Sequence, residues 1–434
     1  MIMLSSDWVF PENLTKNDMN YKITYNNGQS FCVPLPASKS ITNRMLIIQA
    51  LSGEKGCLQN IAKCDDTDAM LKAFSDYDNG QNLINIGAAG TAMRFLTAYF
   101  ALKAEREITL DGSERMRQRP IKELVDTLKA CGADIEYISI NNKKNNTCPP
   151  LKIKGKQLKA ETIEINGNIS SQYISAIMMI SPYLKGGTKI KIIGESVSRP
   201  YIEMTASLMN KFGAKVTLKD SKIIIEEGKY SNVNITVESD WSAASYWYEI
   251  KSIIPNLEIV LMGLNKCSDQ GDSRIAEYFT KLGVTTTFTE KGVALGYDET
   301  KVTDTLTIDL ADQPDLAQTF AVTACLKGIP FKITGLSTLK IKETDRMAAL
   351  ISELAKLGYR ITEVDNSSLI WDGSTIPTNK KIEIETYKDH RMAMAFAPAA
   401  KFLPDLTILD AGVVSKSYPE YWKHLQKIGF KMEE

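Results

Sequence analysis

The sequence predicts an α/β protein of two domains, each assembled from three βαβαββ modules around buried helices. Two recurrent patterns and the chain length carry that expectation. Six runs rich in Ala, Ser, Met and Leu open on a polar start. They begin near Ser38-Lys39-Ser40, Ala89-Gly90-Thr91, Ile169-Ser170-Ser171, Asp240-Trp241-Ser242, Asp315-Leu316 and Asp389-His390-Arg391. Their interiors, such as 171–184 and 392–402, are apolar all round, so they read as helices buried on every side. Interleaved with them, amphipathic stretches at 124–132, 208–213, 278–283, 350–358 and 422–429 end in Gly and pass at once into alternating, strand-like residues. Those glycines stand at 132, 213, 283, 358 and 429, at spacings of 81, 70, 75 and 71. Gly is the expected residue just past a helix end, where the chain turns through left-handed space. Finally, 434 residues are too many for one ordinary core.

Taken in order, the first module is degenerate, because its amphipathic stretch 70–77 closes on Asp78-Asn79-Gly80. Strand-like runs at 189–193, 221–225, 305–308 and 331–333 separate the later helices. No long Gly/Ser linker marks the domain boundary; Val237-Glu238-Ser239-Asp240, between the third module and the fourth, is the best candidate. The patch 141–146, Asn-Asn-Lys-Lys-Asn-Asn, reads as a surface hairpin loop. The segment before Pro36 receives no role.

Composition narrows the function classes. Hydrophobic content of 44% and charged content of 24% fit a soluble globular protein. Lys+Arg and Asp+Glu both number 52, so no global field draws in nucleic acid or an anionic membrane. The first 16 residues lack a signal-peptide layout, and no apolar stretch reaches the roughly 20 residues that span a bilayer. A cytoplasmic location follows as an expectation. Seven scattered cysteines without a Cys-x-x-Cys pair suit free thiols. With His390 and His424 the only histidines, neither a zinc site nor any other metal site is expected.

The polar helix starts carry the chemistry. Lys39, Arg44, Arg94 and Arg391 stand in or near first turns, where the helix dipole favours acids. A cation beside free backbone N–H groups makes sense when a bound anion is the missing partner. Pro36-Ala37-Ser38-Lys39-Ser40 with Arg44 also reads, on its own, as a capped helix with solvated cations. Gly87-Ala88-Ala89-Gly90-Thr91-Ala92-Met93-Arg94 is a small-residue loop entering a helix, and Gly90 would let a phosphate reach the backbone. Arg115-Met116-Arg117-Gln118-Arg119-Pro120 places three cations before a helix with Pro120 at its first position. Ser170-Ser171-Gln172 and Ser198-Arg199-Pro200-Tyr201 add neutral donors or plain caps. Farther on, Lys342-Glu343-Thr344-Asp345-Arg346 is either a surface salt-bridge ladder or a charged site. Lys416-Ser417-Tyr418-Pro419 supplies another cation before the last helix. Asp315, after Pro314, either caps its helix or serves as a general base in a cationic cleft. Together these motifs indicate a polyanionic small molecule held among helix N-termini, in a cleft between two domains.

In order from residue 36 to 419, they resemble the signatures of the 5-enolpyruvylshikimate-3-phosphate synthase family. The resemblance implies two domains of three βαβαββ units, one spanning 38–239, the other 1–37 with 240–434, and hinges near 37–38 and 239–240. It further implies a chain that works as a monomer, without a cofactor, on two small molecules, within aromatic amino-acid and chorismate biosynthesis. Shikimate 3-phosphate would be held by Lys39, Ser40, Arg44, Ser170, Ser171, Gln172, Ser198, Tyr201, Asp315 and Lys342. Phosphoenolpyruvate would be held by Lys39, Gly90, Arg115, Gln172, Arg346, Arg391 and Lys416. The chain departs from the family pattern at Ala88, often Asn, at Ala37, often Gly, and at Thr338, where the family commonly has a phosphate-binding Asn.

The implied reaction moves the enolpyruvyl group to the 5-hydroxyl of shikimate 3-phosphate by addition and elimination. Asp315 would orient or deprotonate that hydroxyl. Glu343 would handle the proton at C3, with burial raising its pKa against Lys342 and Arg346. Lys39 would neutralise charge or relay protons. Arg346 and Arg391 suit a bidentate grip on a carboxylate. Domain closure over two anions, bringing Asp315 and Lys416 toward Lys39, and inhibition by glyphosate beside Gly90 complete the expectation. Three rivals differ in recognisable ways. The paralogous transferase acting on UDP-N-acetylglucosamine usually has Lys-Asn where Lys39-Ser40 stand and a reactive Cys in the loop near Arg115, whereas 105–130 holds no Cys. An RNA 3′-phosphate cyclase would want a nucleophilic His. A phosphometabolite sensor would gain nothing from Asp315 and Glu343.

Overall fold

The computed structural model describes residues 19–53, 57–139, 147–167, 170–194, 198–378 and 381–434. The chain divides into two compact units, Ala37–Val237 and a second formed by residues 19–36 with Glu238–Glu434. Each unit has its own apolar core. The loop expected at 141–146 and Ile169 lie outside the described residues.

All six apolar runs form inner helices. In Ala37–Val237 these are Lys39–Ser52, Gly90–Lys103 and Ser171–Ile180, and each packs against the other two. In the second unit they are Trp241–Ile253, Ala317–Leu326 and His390–Phe396, packed in the same way. Residues with apolar side chains on every face cannot leave one face in water, so three such helices bury one another.

The outer faces carry the sheets. Five are four-stranded and share one strand pattern. In the Leu83–Asn85 module, for example, Ile108–Asp111 pairs in parallel with the first strand. Two antiparallel strands, Leu151–Lys154 and then Asp134–Tyr137, follow. A helix crosses between the parallel pair, as parallel strands require. The five glycines that end the amphipathic stretches all stand at positive φ, between 86° and 100°. One of those stretches, 278–283, is not a continuous helix: it passes from Ile275–Tyr278 into the 3-10 turn Phe279–Leu282.

The strands before Pro36, to which sequence gave no role, complete two sheets of the second unit. Phe31–Pro34 lies parallel to Ile259–Met262, and Tyr21–Tyr25 lies between Leu406–Ile408 and Phe430–Glu433. The degenerate first module has only a two-stranded sheet among the described residues, where Leu58–Gln59 is paired with Ile235–Thr236.

Candidate active site

Within Ala37–Val237, the starts of the inner helices gather the expected groups. Lys39 pairs with the buried Asp66 at 3.1 Å. Arg44, one turn further on, is 2% exposed. It donates from Nε to Thr205 Oγ1 at 2.8 Å, from Nη2 to Ser175 Oγ at 3.2 Å and from Nη1 to the Ser40 carbonyl at 2.9 Å. Its guanidinium lies 5.7 Å from the Tyr201 ring centroid. Burial lowers the Arg44 pKa to about 10, with no carboxylate among the described residues to offset it. A buried guanidinium solvated only by neutral oxygens is short of one anion.

Ser170 accepts a hydrogen bond from Gln172 N at 3.3 Å and so caps Ser171–Ile180. Gln172 Nε2 donates to Thr91 Oγ1 at 3.2 Å, which ties this helix start to that of Gly90–Lys103. Buried Ser171 and Ser198 stand at the starts of their helices, and the Ser198 carbonyl accepts from Tyr201 N at 3.1 Å.

The basic run 115–119 is arranged differently from expectation. Arg115 is exposed, 3.5 Å from Gln118 Oε1, and Arg117 donates to Asp111 at 2.9 Å. Arg119 is the buried member, and its Nε has no hydrogen-bond partner among the described residues. A Cβ built on Gly90 would stand 2.7 Å from Arg119 Nη1, so the glycine makes room for this guanidinium. Arg94 braces the same corner, donating to the carbonyls of Gly90 and Pro120, each at 3.2 Å. Pro120 does not open the next helix, which begins at Lys122. Its effect falls on Arg119 instead. A residue before proline is pushed out of the helical region, and Arg119 is extended (φ −88°, ψ 119°), leaving the 3-10 turn Met116–Gln118. That restriction is the sequence signal that separates Arg119 from Arg115.

In the second unit, six expected residues from four distant segments form one ion network around Arg346, which is 2% exposed. Arg346 Nη1 donates to Asp315 Oδ1 at 2.8 Å, Nη2 to Glu343 Oε2 at 3.0 Å, and Nε to Asp389 Oδ2 at 2.6 Å. Asp315 also meets Lys342 and Arg391, each at 3.2 Å, and Glu343 meets Lys416 at 3.4 Å. This is no surface ladder. Nor does Asp315 cap its helix: it sits in the 3-10 turn Pro314–Leu316 with its carboxylate among the cations. Sequence reasoning missed the double part of Asp389, which grips Arg346 and also accepts from Arg391 N at 2.9 Å.

The electrostatics follow from this crowding. Burial pushes the Asp315 carboxyl up, but Lys342, Arg391 and Arg346 outweigh it and hold it well below the usual carboxylate range. Burial likewise disfavours charge on Arg346, yet Asp389, Glu343 and Asp315 hold its pKa above the ordinary value. Asp272, hydrogen-bonded by Ser242 Oγ, is pushed by burial up to about 6, against the pull of Arg391. Thr338 Oγ1 is buried with no partner among the described residues. Among those residues no three His, Cys, Asp or Glu side chains gather as a metal-ligand set, and no helix is long and apolar enough to cross a membrane.

Comparison with known proteins bears on this arrangement. The family model described as EPSP synthase (3-phosphoshikimate 1-carboxyvinyltransferase) matches residues 26–78 and 75–425. A 3-phosphoshikimate 1-carboxyvinyltransferase of Bacteroides fragilis is 49% identical over 95% of this chain and 98% of its own. The enzyme of that name from Mannheimia haemolytica is 35% identical over 92% and 96%. Among solved structures, EPSP synthase from Acinetobacter baumannii aligns with a TM-score of 0.72 at 19% identity, over 96% of this chain and all of that one.

Proposed function

Since this chain belongs to the EPSP synthase family, we propose a division of labour among its residues for the reaction it performs. That reaction is transfer of the enolpyruvyl group of phosphoenolpyruvate to the 5-hydroxyl of shikimate 3-phosphate, with release of phosphate. The observation that carries the proposal is the Arg346 network, in which two carboxylates suited to proton handling are set among four cations suited to an anionic substrate.

Shikimate 3-phosphate is assigned to Lys39, Ser40, Arg44, Ser170, Ser171, Gln172, Ser198 and Tyr201, with Asp315 and Lys342 reaching its hydroxyl groups. Arg44, short of an anion, is the strongest single case. Phosphoenolpyruvate is assigned to Lys39, Gly90, Gln172, Arg346, Arg391 and Lys416. To these we add Arg119, buried beside Gly90, with exposed Arg115 in a peripheral part. The two arginines suit the planar carboxylate.

In the addition step the 5-hydroxyl oxygen bonds to C2 and releases its proton past Asp315 to solvent, while C3 gains a proton from Glu343, giving a tetrahedral ketal. In the elimination step C3 loses a proton, the C2–O bond to phosphate breaks, and the enol ether forms. Asp315, kept ionised by three cations, accepts a hydrogen bond from the 5-hydroxyl and fixes its line of attack. Its low proton affinity suits orientation better than storage of the proton. Glu343 exchanges the C3 proton, and Lys416, 3.4 Å away, lies close enough to balance its charge. Lys39 stabilises charge developing at the phosphate oxygen.

Phosphate release is the test. Purified protein with phosphoenolpyruvate should release phosphate only when shikimate 3-phosphate is present, and chelator should leave the rate unchanged. Release that required UDP-N-acetylglucosamine instead would assign the chain to the paralogous reaction. Silence with both acceptors would leave a binding protein.

A further inference from the structure

The segment that delivers Asp389 and Arg391 is held in a conformation its own residues disfavour. Tyr387 and Lys388 stand consecutively at φ 54° and 56°. A side chain with a Cβ is costly in the left-handed region, and two in a row persist only where the surroundings over-determine them. Asp389 N closes the turn onto the Thr386 carbonyl at 2.8 Å, but one local bond of this kind is weak against that strain.

The surroundings that fix it belong to one helix, Arg346–Lys356. At its start Arg346 grips Asp389 through Nε and Nη2, at 2.6 and 3.3 Å. Two turns on, and so on the same face, Glu353 is fully buried. Its Oε2 accepts from Glu385 N at 3.0 Å and its Oε1 from Tyr387 Oη at 2.7 Å. At the helix end Lys356 Nζ donates to the Glu383 carbonyl at 2.9 Å. The helix therefore clasps residues 383–389 at three levels, in opposite chain directions. The strained pair lies between the two stronger grips. Arg391, two residues beyond, inherits its position from that turn and from the Asp389 cap.

We propose that Glu353 and Tyr387 are positioning residues for phosphoenolpyruvate. By holding the left-handed turn at 387–388, they fix the spacing of Arg346, Asp389 and Arg391 that the substrate carboxylate requires. Neither touches the reacting atoms. The inference rests on the assignment of that carboxylate to Arg346 and Arg391, so its test must separate the two.

Steady-state kinetics with each substrate varied in turn, alongside thermal melting, would make that separation. Arg391→Lys is the reference, and it should raise the KM for phosphoenolpyruvate at least about tenfold, since a point charge replaces a fork. Tyr387→Phe removes one hydroxyl and should raise the same KM about fivefold, with kcat and the KM for shikimate 3-phosphate within about twofold. Glu353→Gln should act in the same direction. Lys388→Asn, at an exposed position and with a residue that tolerates the left-handed region, should recover most of the loss in the Tyr387→Phe background. A general packing role would lower melting temperature and kcat without selecting one substrate, and Lys388→Asn would not restore a KM. If Arg391→Lys raises the KM for phosphoenolpyruvate and both Tyr387→Phe and Glu353→Gln leave it in place, the positioning role is wrong and the site assignment stands. If Arg391→Lys leaves it in place, both fall.

Discussion

Gly90→Ala puts the corner between Gly90 and Arg119 to a sharp test. The added Cβ would stand 2.7 Å from Arg119 Nη1 and 3.0 Å from Cζ and Nη2, where ordinary contact begins at 3.4 Å. The guanidinium must retreat by 3.4 − 2.7, or about 0.7 Å, and as the far end of a flexible side chain it can do so. Backbone strain does not oppose the change, because Gly90 is the first residue of a helix and is not at positive φ. Alanine in place of glycine in a helix is worth up to about 1 kcal/mol of stability. A bidentate hydrogen bond displaced by that distance forfeits about 1–2 kcal/mol, or roughly five- to thirtyfold in affinity. Fold stability and substrate affinity should therefore move in opposite directions. In a phosphate-release assay with shikimate 3-phosphate saturating, the KM for phosphoenolpyruvate should rise about tenfold, while the melting temperature holds or rises. Glyphosate, expected to compete at the same corner, should lose potency too. An unchanged KM for phosphoenolpyruvate in a well-folded Gly90→Ala protein would refute the placement of Arg119 in that site.

Two further outcomes follow from buried charges. Arg44→Met should leave the ligand-free protein no less stable, because Thr205 and Ser175 still hydrogen-bond each other at 2.9 Å. It should also abolish the stabilisation of about 2.7 kcal/mol that shikimate 3-phosphate at a hundredfold excess over its Kd gives the parent; a retained thermal shift would remove Arg44 from the site. Asp272, raised from the ordinary 3.8 to about 6, favours the fold below pH 4, and that contribution is lost as pH climbs through 6. Asp272→Asn should consequently gain up to about 3 kcal/mol on the parent between pH 4 and pH 7.5 in chemical denaturation, and a pH-independent difference would contradict the assignment.

The inner helices were legible because burial on all sides leaves a local mark, an uninterrupted apolar run behind a polar start. The helix-ending glycines were legible for the same reason, since the left-handed turn is a property of a single residue. Partnership between distant segments leaves no such mark. Phe31–Pro34 reads as a short apolar run, and nothing in it names Ile259–Met262 as its neighbour. Spacing within one turn made Glu343 and Arg346 a visible pair, whereas Asp389 reaches Arg346 only through the fold. Composition alone does not separate Arg119, buried beside Gly90, from exposed Arg115. Three cations in five residues look alike until the restriction before Pro120 is applied to the backbone.

The two units hold their cations in different ways, and this bears on how anions compete for them. In Ala37–Val237, Arg44 and Arg119 are buried with no carboxylate in salt-bridge range among the described residues, so an anion bound to them displaces no ion pair, whereas Lys39 is paired with Asp66. In the second unit Lys342, Arg346, Arg391 and Lys416 already contact Asp315, Glu343 and Asp389, four cations against three carboxylates. One net positive charge draws an anion far less than four bare ones would, but the ion pairs hold the carboxylates in fixed positions. A site built only to bind would remove them, because each weakens the field felt by a substrate anion. Their presence, with Arg346 buried at the centre, fits the proposed division of labour, in which Asp315 orients the hydroxyl, Glu343 exchanges the C3 proton and Asp389 holds Arg346.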